Sequence, residues 1–281
     1  MRLYFLGGLG VVAIFIWFSV FQLEAYSGKL LFEAFDVGQG DSLFVQCGGN
    51  QVLIDGGPSD AVLAKLSTVM PFWDRSIDLV ILTHAHADHV TGLIGVLKQY
   101  KVGMILESGE EYATPEYRTW HEIIAQENIP VVIAERGQEI HLCSGATLSV
   151  LSPYKNYNHV VVKNPHDANV SMKLVYGDTS ALLMGDAEKF IEYQLLSLNP
   201  SSLKSDILKA GHHGSKTSTS EDFLRAVLPN LAVISVGRKN SYGHPHQEVL
   251  NRLKTFGITI KRTDLSSDLR FVSDGKKIVQ E

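Results

Sequence analysis

Cysteine is scarce in this sequence, and basic charge is not in excess. Two cysteines, Cys47 and Cys143, occur in 281 residues, and neither belongs to a CxxC pair. That spacing argues against a metal held by thiolates. Two isolated buried thiols are the expectation, because free cysteine is among the most buried side chains. A single disulfide between them would be permitted outside the cytoplasm. The formal net charge is -5. This balance argues against a protein that grips nucleic acid through a broad basic face. It leaves a phosphodiester substrate open, since bound divalent cations reverse the sign of a site locally. No Gly/Ser/Pro-rich linker divides the chain, and no short repeat is visible. With 45% hydrophobic and 20% charged residues, the chain can bury a sizeable core and is not expected to be disordered.

Charge is missing altogether from Leu3 to Leu23, an Ile/Val/Phe-rich run that holds Trp17 and Phe18. As a helix it is long enough to cross about 30 Å of hydrocarbon. Residues 1–27 therefore read as a membrane anchor. A cleaved signal segment is the alternative, since Ala25-Tyr26-Ser27 before Gly28 suits a small-residue cleavage site. A buried core helix would show polar positions at helical spacing, and there are none. Arg2 precedes the run, and Glu24 and Lys29 follow it. This bias puts the N-terminus in the cytoplasm and residues 28–281 outside, membrane-anchored or secreted.

After Gly28, short β-rich runs alternate with helical stretches. Leu30 to Val37, Leu43 to Gln46 and Val52 to Asp55 read as strands separated by glycine turns. Leu79 to Thr83 is a continuous apolar run, the mark of a strand buried on both faces. Val90 to Tyr100 reads as a helix. Ser152 to Ala168 is a long loop rich in Asn, Tyr, His and Lys. Strands followed by helices occur twice, so two mixed sheets packed face to face with helices outside would bury both sets of apolar runs. The expectation is one α/β domain, a four-layer αββα sandwich over 28–281, preceded by the N-terminal helix.

The segment that carries chemistry is Thr83-His84-Ala85-His86-Ala87-Asp88-His89, directly after the buried strand. Sites in α/β folds lie at the carboxyl ends of such strands. Three imidazoles and a carboxylate within six residues cannot all find core partners, and the small alanines leave room for a cation. His84 and His86 point the same way if locally extended, which suits one metal. Asp88 and His89 begin the next turn and can face a second. These ligand types suit zinc, manganese or iron better than calcium.

This HxHxDH pattern after an apolar strand resembles the metallo-β-lactamase superfamily. Further blocks bring the chain close to one branch of it. Asp36-Val37-Gly38-Gln39-Gly40-Asp41-Ser42, Ile54-Asp55-Gly56-Gly57, Leu183-Met184-Gly185-Asp186, Leu208-Lys209-Ala210-Gly211-His212-His213-Gly214-Ser215 and Asn240-Ser241-Tyr242-Gly243-His244-Pro245 look like the motif set of the extracytoplasmic domain of ComEC-type DNA-uptake proteins. The likeness runs from about Leu30 to Val279.

The resemblance implies a metallo-β-lactamase fold, two divalent cations (zinc or manganese foremost) and a set of roles. Metal ligands are His84, His86, Asp88, His89, Asp186 as the shared carboxylate, and His213, with His212 as the alternative. Asp88, His212 and His244 are the catalytic candidates, with His212 facing a substrate phosphate. Ser215, Asn240 and Asn169 are candidates for substrate contact. Asp55 and Asp41 would orient ligand histidines. One departure concerns Asn169, where many relatives carry a further ligand histidine. His166 lies nearby but before the strand, so the first metal is expected to have only His84, His86 and Asp186. His121, His141 and His159 read as surface or partly buried residues.

The implied function is a phosphodiesterase, plausibly a DNase, acting outside the membrane in connection with DNA uptake. Lys209, Lys216, Arg238 and Lys239 flank the last motif loops and are candidates to hold neighbouring phosphates. One rival is hydrolysis of another ester, such as a phosphorylcholine ester or a lactone. Another is a non-catalytic metal-bound subunit that binds single-stranded DNA beside a separate channel; the missing histidine favours it. The basic loops lack the interleaved aromatics of a stacking platform, which counts against it. The membrane-segment reading predicts that a reporter fused after Glu281 behaves as extracytoplasmic; activity of a strictly cytoplasmic reporter at that position would refute the charge argument.

Overall fold

The computed structural model describes residues 28–281, and the anchor or signal expected at residues 1–27 lies outside them. Among the described residues no helix is long and apolar enough to cross a membrane.

Among the described residues, fifteen strands form two sheets. The first opens with β1 (Leu30–Ala34), β2 (Leu43–Cys47) and β3 (Asn50–Ile54), joined antiparallel. It continues in parallel through β4 (Ser76–Leu82), β5 (Lys101–Glu107) and β6 (Val131–Ile133). The second contains β7 (Glu139–Cys143), β8 (Ala146–Ser152), β9 (Ser171–Tyr176), β10 (Thr179–Leu183), β11 (Ile207–Lys209), β12 (Leu231–Ile234) and β13 (Thr259–Arg262). Strands β10 to β13 run parallel. The last two, β14 (Leu269–Ser273) and β15 (Ile278–Gln280), return to the first sheet beside β1.

Side chains on a strand alternate between faces, and β4 shows how this builds layers. Leu79 and Ile81 join the cluster between the sheets, with Phe32, Val45, Leu148, Met172 and Phe271. Val80 and Leu82 point the other way. They pack under α1 (Ala61–Val69), α2 (Ala87–Gln99) and α3 (Pro115–Glu127), which contribute Leu66, Leu93 and Trp120. On the far side, Leu182, Leu208 and Ile234 pack under α4 (Lys189–Leu198), α5 (Glu221–Val227) and α6 (Gln247–Thr255) through Leu195, Phe223 and Leu253. The result is the expected four-layer αββα sandwich. Strands β3, β4, β10, β11 and β12 all deliver their carboxyl ends to loops that meet along one edge.

The cysteines depart from the expectation of isolated thiols. Cys47 ends β2 in one sheet and Cys143 ends β7 in the other, and their sulfurs are bonded. A separation of 96 residues carries no sign of this; the stacking of two strand ends brings them together. Closing so long a loop in the unfolded chain is worth about 4.7 kcal/mol in the chain-entropy picture. Replacing Cys47 and Cys143 together by Ala is therefore expected to lower the thermal midpoint by on the order of ten degrees. Scanning calorimetry reads this directly, and an unchanged midpoint would show that the crosslink carries no stability.

Candidate metal centre

Five imidazoles converge on one carboxylate. The Nε2 atoms of His213 and His89 lie 3.4 and 3.5 Å from Asp186 Oδ2. Those of His84, His166 and His212 lie 3.9 Å from the same oxygen. Local backbone explains the arrangement. His84 to His86 follow the end of β4, and Asp88 and His89 ride the first turn of α2. Asp186 follows β10 at a sharp bend through Gly185, whose φ is +53 and where an added Cβ would meet Asn169 Oδ1 at 2.4 Å. His212 and His213 follow β11 in a tight turn, both at positive φ (47 and 52). Left-handed backbone at consecutive non-glycine residues is strained; here it turns both rings toward Asp186.

Two donor groups lie on either side of Asp186. One is His84, His86 and His166; the other is Asp88, His89, Asp186 and His213, with ligand atoms within 4.8 Å of one another in each. His166, Asp186 and His212 form a third, overlapping group. The buried atoms His89 Nε2, His166 Nε2, His213 Nε2 and Asp186 Oδ1 have no hydrogen-bond partner. Buried polar atoms are ordinarily satisfied, so clustered orphans of ligand type fit a pair of divalent cations.

The outer nitrogens are spoken for. His89 Nδ1 donates to Asp55 Oδ2 at 2.8 Å, and Asp55 also accepts from Thr83 N at 2.8 Å and Thr83 Oγ1 at 2.7 Å. His213 Nδ1 donates to the Ser235 carbonyl at 3.0 Å, with Asp41 Oδ1 3.4 Å away. Each such contact leaves Nε2 as the free lone pair in a neutral ring. The Asp41 loop is pressed against α2 at Gly40, where a Cβ would meet the Asp88 carbonyl at 2.2 Å.

Electrostatics follow from burial and crowding. Burial, with neighbouring imidazoles acting in the same sense, pushes His84 well below its ordinary pKa and His86 to about 4. Burial also opposes charge at His89, His213 and Asp186, but their partners win. Carboxylates led by Asp186 hold both imidazoles well above the usual value, and those imidazoles hold Asp186 well below it. Cation binding at this half of the cluster would therefore release protons from His89 and His213.

His166 corrects the expectation of a three-ligand first site. The turn Pro165–Ala168 folds it back over the sheet, so that its ring lies 5.2 Å from that of His84 and 4.8 Å from that of His86. Asn164-Pro165, a turn-initiating pair, is the sequence signal that could have found it. Asn169, in turn, is scaffold rather than a substrate contact. It is fully buried, accepts from Asp186 N at 2.8 Å and donates to the Met184 carbonyl at 2.8 Å. Asn240 likewise clamps its own loop, donating to the carbonyls of Gly237 and His244 and accepting from His244 N. Ser215 is 4% exposed and accepts from Thr217 N and Oγ1, which makes it part of the turn. Lys209 is no phosphate contact: it is fully buried, paired with Asp41 and bonded to the Gly185 carbonyl at 2.9 Å. Arg238 donates to the Asp264 carbonyl.

Two acidic residues escaped the motif reading. Glu110 accepts from Ala85 N at 2.9 Å and so holds the histidine loop; burial lifts its pKa to about 7. Glu188 lies 3.2 Å from His212 Nδ1 and 3.6 Å from His166 Nδ1. His244 stands at the rim, its ring 5.4 Å from that of His212 and 6.3 Å from that of His213. Burial, aided by those imidazoles, lowers its pKa to about 4. His121 pairs with Glu107, His159 is exposed near Glu111, and His141 contacts Thr147.

The support of His89 by Asp55 is open to test. Asp55→Ala is expected to weaken cation binding about ten- to a hundredfold, measured by competition with a chromophoric chelator on protein shown to be folded. Unchanged affinity would reduce Asp55 to a turn residue.

Comparison with known proteins agrees with this geometry. A profile described as Metallo-beta-lactamase superfamily matches residues 35–238. The chain is 29% identical over 283 residues to ComE operon protein 3 of Bacillus subtilis, covering 93% of this chain and 35% of that protein. It is 32% identical over 242 residues to Competence protein ComA of Neisseria gonorrhoeae, covering 84% of this chain and 31% of that protein. The chain thus spans about a third of the length of these curated relatives. Among solved structures, the metallo-beta-lactamase fold protein YhfI of Bacillus subtilis superposes with a TM-score of 0.58 at 15% identity, over 87% of this chain and all of that one. The matched profile, the two-sheet sandwich and the histidine–aspartate cluster at its edge agree, and the chain belongs to the metallo-beta-lactamase superfamily.

Proposed function

We propose that this metal-dependent hydrolase is a phosphodiesterase that cleaves DNA outside the membrane. The observation that carries the reading is the pair of adjacent donor groups, one of them containing Asp186, with the Nε2 atoms of His89, His166 and His213 unpartnered. His84, His86 and His166 would hold one cation; Asp88, His89 and His213 would hold the other; Asp186 serves both. When bound, the cations supply a water of lowered pKa and polarise the phosphoryl oxygen. The residues of the chain orient the ester. His212 lies above Asp186, its ring fixed by Glu188 and within 3.3 Å of Thr217 Oγ1. His244 is neutral at neutral pH and offers a hydrogen bond to a non-bridging oxygen, rather than a readily lost proton. Lys216 and Lys239, both exposed on the adjoining loops, are placed to meet flanking phosphates. The likeness to competence proteins supports DNA as the polymer. The disulfide and the apolar run at residues 3–23 support an extracytoplasmic setting.

The rival of a non-catalytic subunit rested on a missing histidine ligand, and His166 removes that support. Hydrolysis of a phosphorylcholine ester or a lactone uses the same cluster and is separated by substrate. The test is a panel of single-stranded DNA, duplex DNA, bis(p-nitrophenyl) phosphate, p-nitrophenyl phosphorylcholine and a lactone, with zinc and with manganese. Turnover of the phosphodiesters above the others is the expected result; selective turnover of the lactone or choline ester overturns the proposal. Asp186→Ala is expected to lose both cations and all turnover. His244→Ala is expected to keep its cations, counted by elemental analysis, while turnover falls about a hundredfold, the typical effect of losing one donor to a developing oxyanion. Full activity in His244→Ala would make that loop structural.

A further inference from the structure

Beside the metal centre runs an open groove of about 620 Å³. This lies within the range of small-ligand sites, roughly 300–1,000 Å³. Its floor and walls include Tyr112, Tyr117, Arg118, His121, Val161 and Val162. One wall is the segment between β5 and α3, together with the first turns of α3. The other is the long loop after β8. Backbone bonds tie the two: Glu111 N donates to the Val160 carbonyl and His159 N to the Gly109 carbonyl, both at 2.9 Å. The groove is therefore held open by structure on both sides.

Its chemistry is aromatic and aliphatic, with a cation at the rim. Tyr117, 6% exposed, donates its hydroxyl to the Glu110 carbonyl at 2.6 Å and forms the buried floor of the groove. The rings of Tyr117 and His121 meet edge to face at 4.5 Å. Val161 is 75% exposed, an apolar side chain standing in water at the mouth. Arg118 is exposed on the first turns of α3. The groove borders the centre through Tyr112, whose ring lies 5.5 Å from the ring of His86. A group seated against Tyr112 is thus a neighbour of anything held at the cations.

We propose that this groove seats one unpaired nucleobase, that of the nucleotide next to the scissile phosphate; the inference rests on the phosphodiesterase reading above. Base stacking on aromatic side chains tolerates any sequence, and a nearby arginine adds attraction to the strand. A base within a duplex cannot enter, since it is already paired and stacked. Single-stranded nucleic acid is therefore the form this groove selects. Tyr242, 65% exposed beside His244, gives the last motif loop one aromatic face, and residues 112–121 supply a second set next to His86.

Two ester substrates with the same leaving group isolate the groove: thymidine 5′-(p-nitrophenyl phosphate) and methyl p-nitrophenyl phosphate. With the full-length, metal-loaded chain in detergent, the thymidine ester is expected to show a kcat/KM at least tenfold higher, chiefly through KM. Tyr112→Ala and, independently, Val161→Asp are expected to bring that ratio to within about threefold of one. Val161 is mostly exposed, so its replacement keeps the test valid if Tyr112→Ala folds poorly. A ratio near one in the wild-type protein, or a ratio unmoved in both variants, overturns the proposal. A binding measurement separates this from failure of the phosphodiesterase reading. A trinucleotide with central 2-aminopurine should bind at least tenfold tighter than its abasic analogue, with quenched fluorescence, whether or not either ester is hydrolysed. Equal affinity for the two trinucleotides also overturns it.

Discussion

A buried lysine–aspartate ion pair ties together the two halves of this site. Lys209 ends β11 in the second sheet, Asp41 lies between β1 and β2 of the first, and both are almost wholly buried. Removing either partner of such a pair strands a charge, which typically costs about 3–5 kcal/mol. Here the pair is further committed. Lys209 also holds the Gly185 carbonyl, one residue before Asp186, while Asp41 lies against His213. Burial alone would raise the Asp41 pKa; Lys209 and His213 overrule it and keep the carboxylate charged. The position of the shared carboxylate and that of its nearest imidazole thus depend on one lysine that never meets solvent.

The same logic recurs around the cluster. Asp55 sits at positive φ (61) and is fully buried, yet its carboxylate accepts three hydrogen bonds, from Thr83 N, Thr83 Oγ1 and His89 Nδ1. Strain at Asp55, His212 and His213 falls in loops that leave a strand end and lead into a helix, where buried hydrogen bonds can sustain it. The regular parts of the sandwich do not need such measures. Their strands alternate cleanly between the inter-sheet core and the helix-covered faces.

The parts of this architecture that were legible in the sequence are those with local causes. The apolar run of β4 followed by His84, His86, Asp88 and His89 announces strand, loop and a cluster of donor side chains within a dozen residues. The four layers follow from strands whose both faces are apolar. What could not be read depends on distant partners. His166 joins His84 and His86 only because a 3-10 turn reverses the chain. Asn169, one turn later, faces the Gly185 bend, so a residue that looks like a ligand position serves as its brace. Lys209 sits among basic residues in the sequence but under the loops in space. The Cys47–Cys143 bridge joins sheets that no spacing rule relates.

The donor groups draw on both sheets, His84 to His89 from one and Asp186 and His213 from the other. A cation held across both sheets would have this affinity only for the assembled sandwich. By mass action its free concentration then becomes a stabilising variable of the whole fold, growing by about 1.4 kcal/mol for each tenfold rise above the dissociation constant. The same protein is correspondingly looser wherever such cations are withheld.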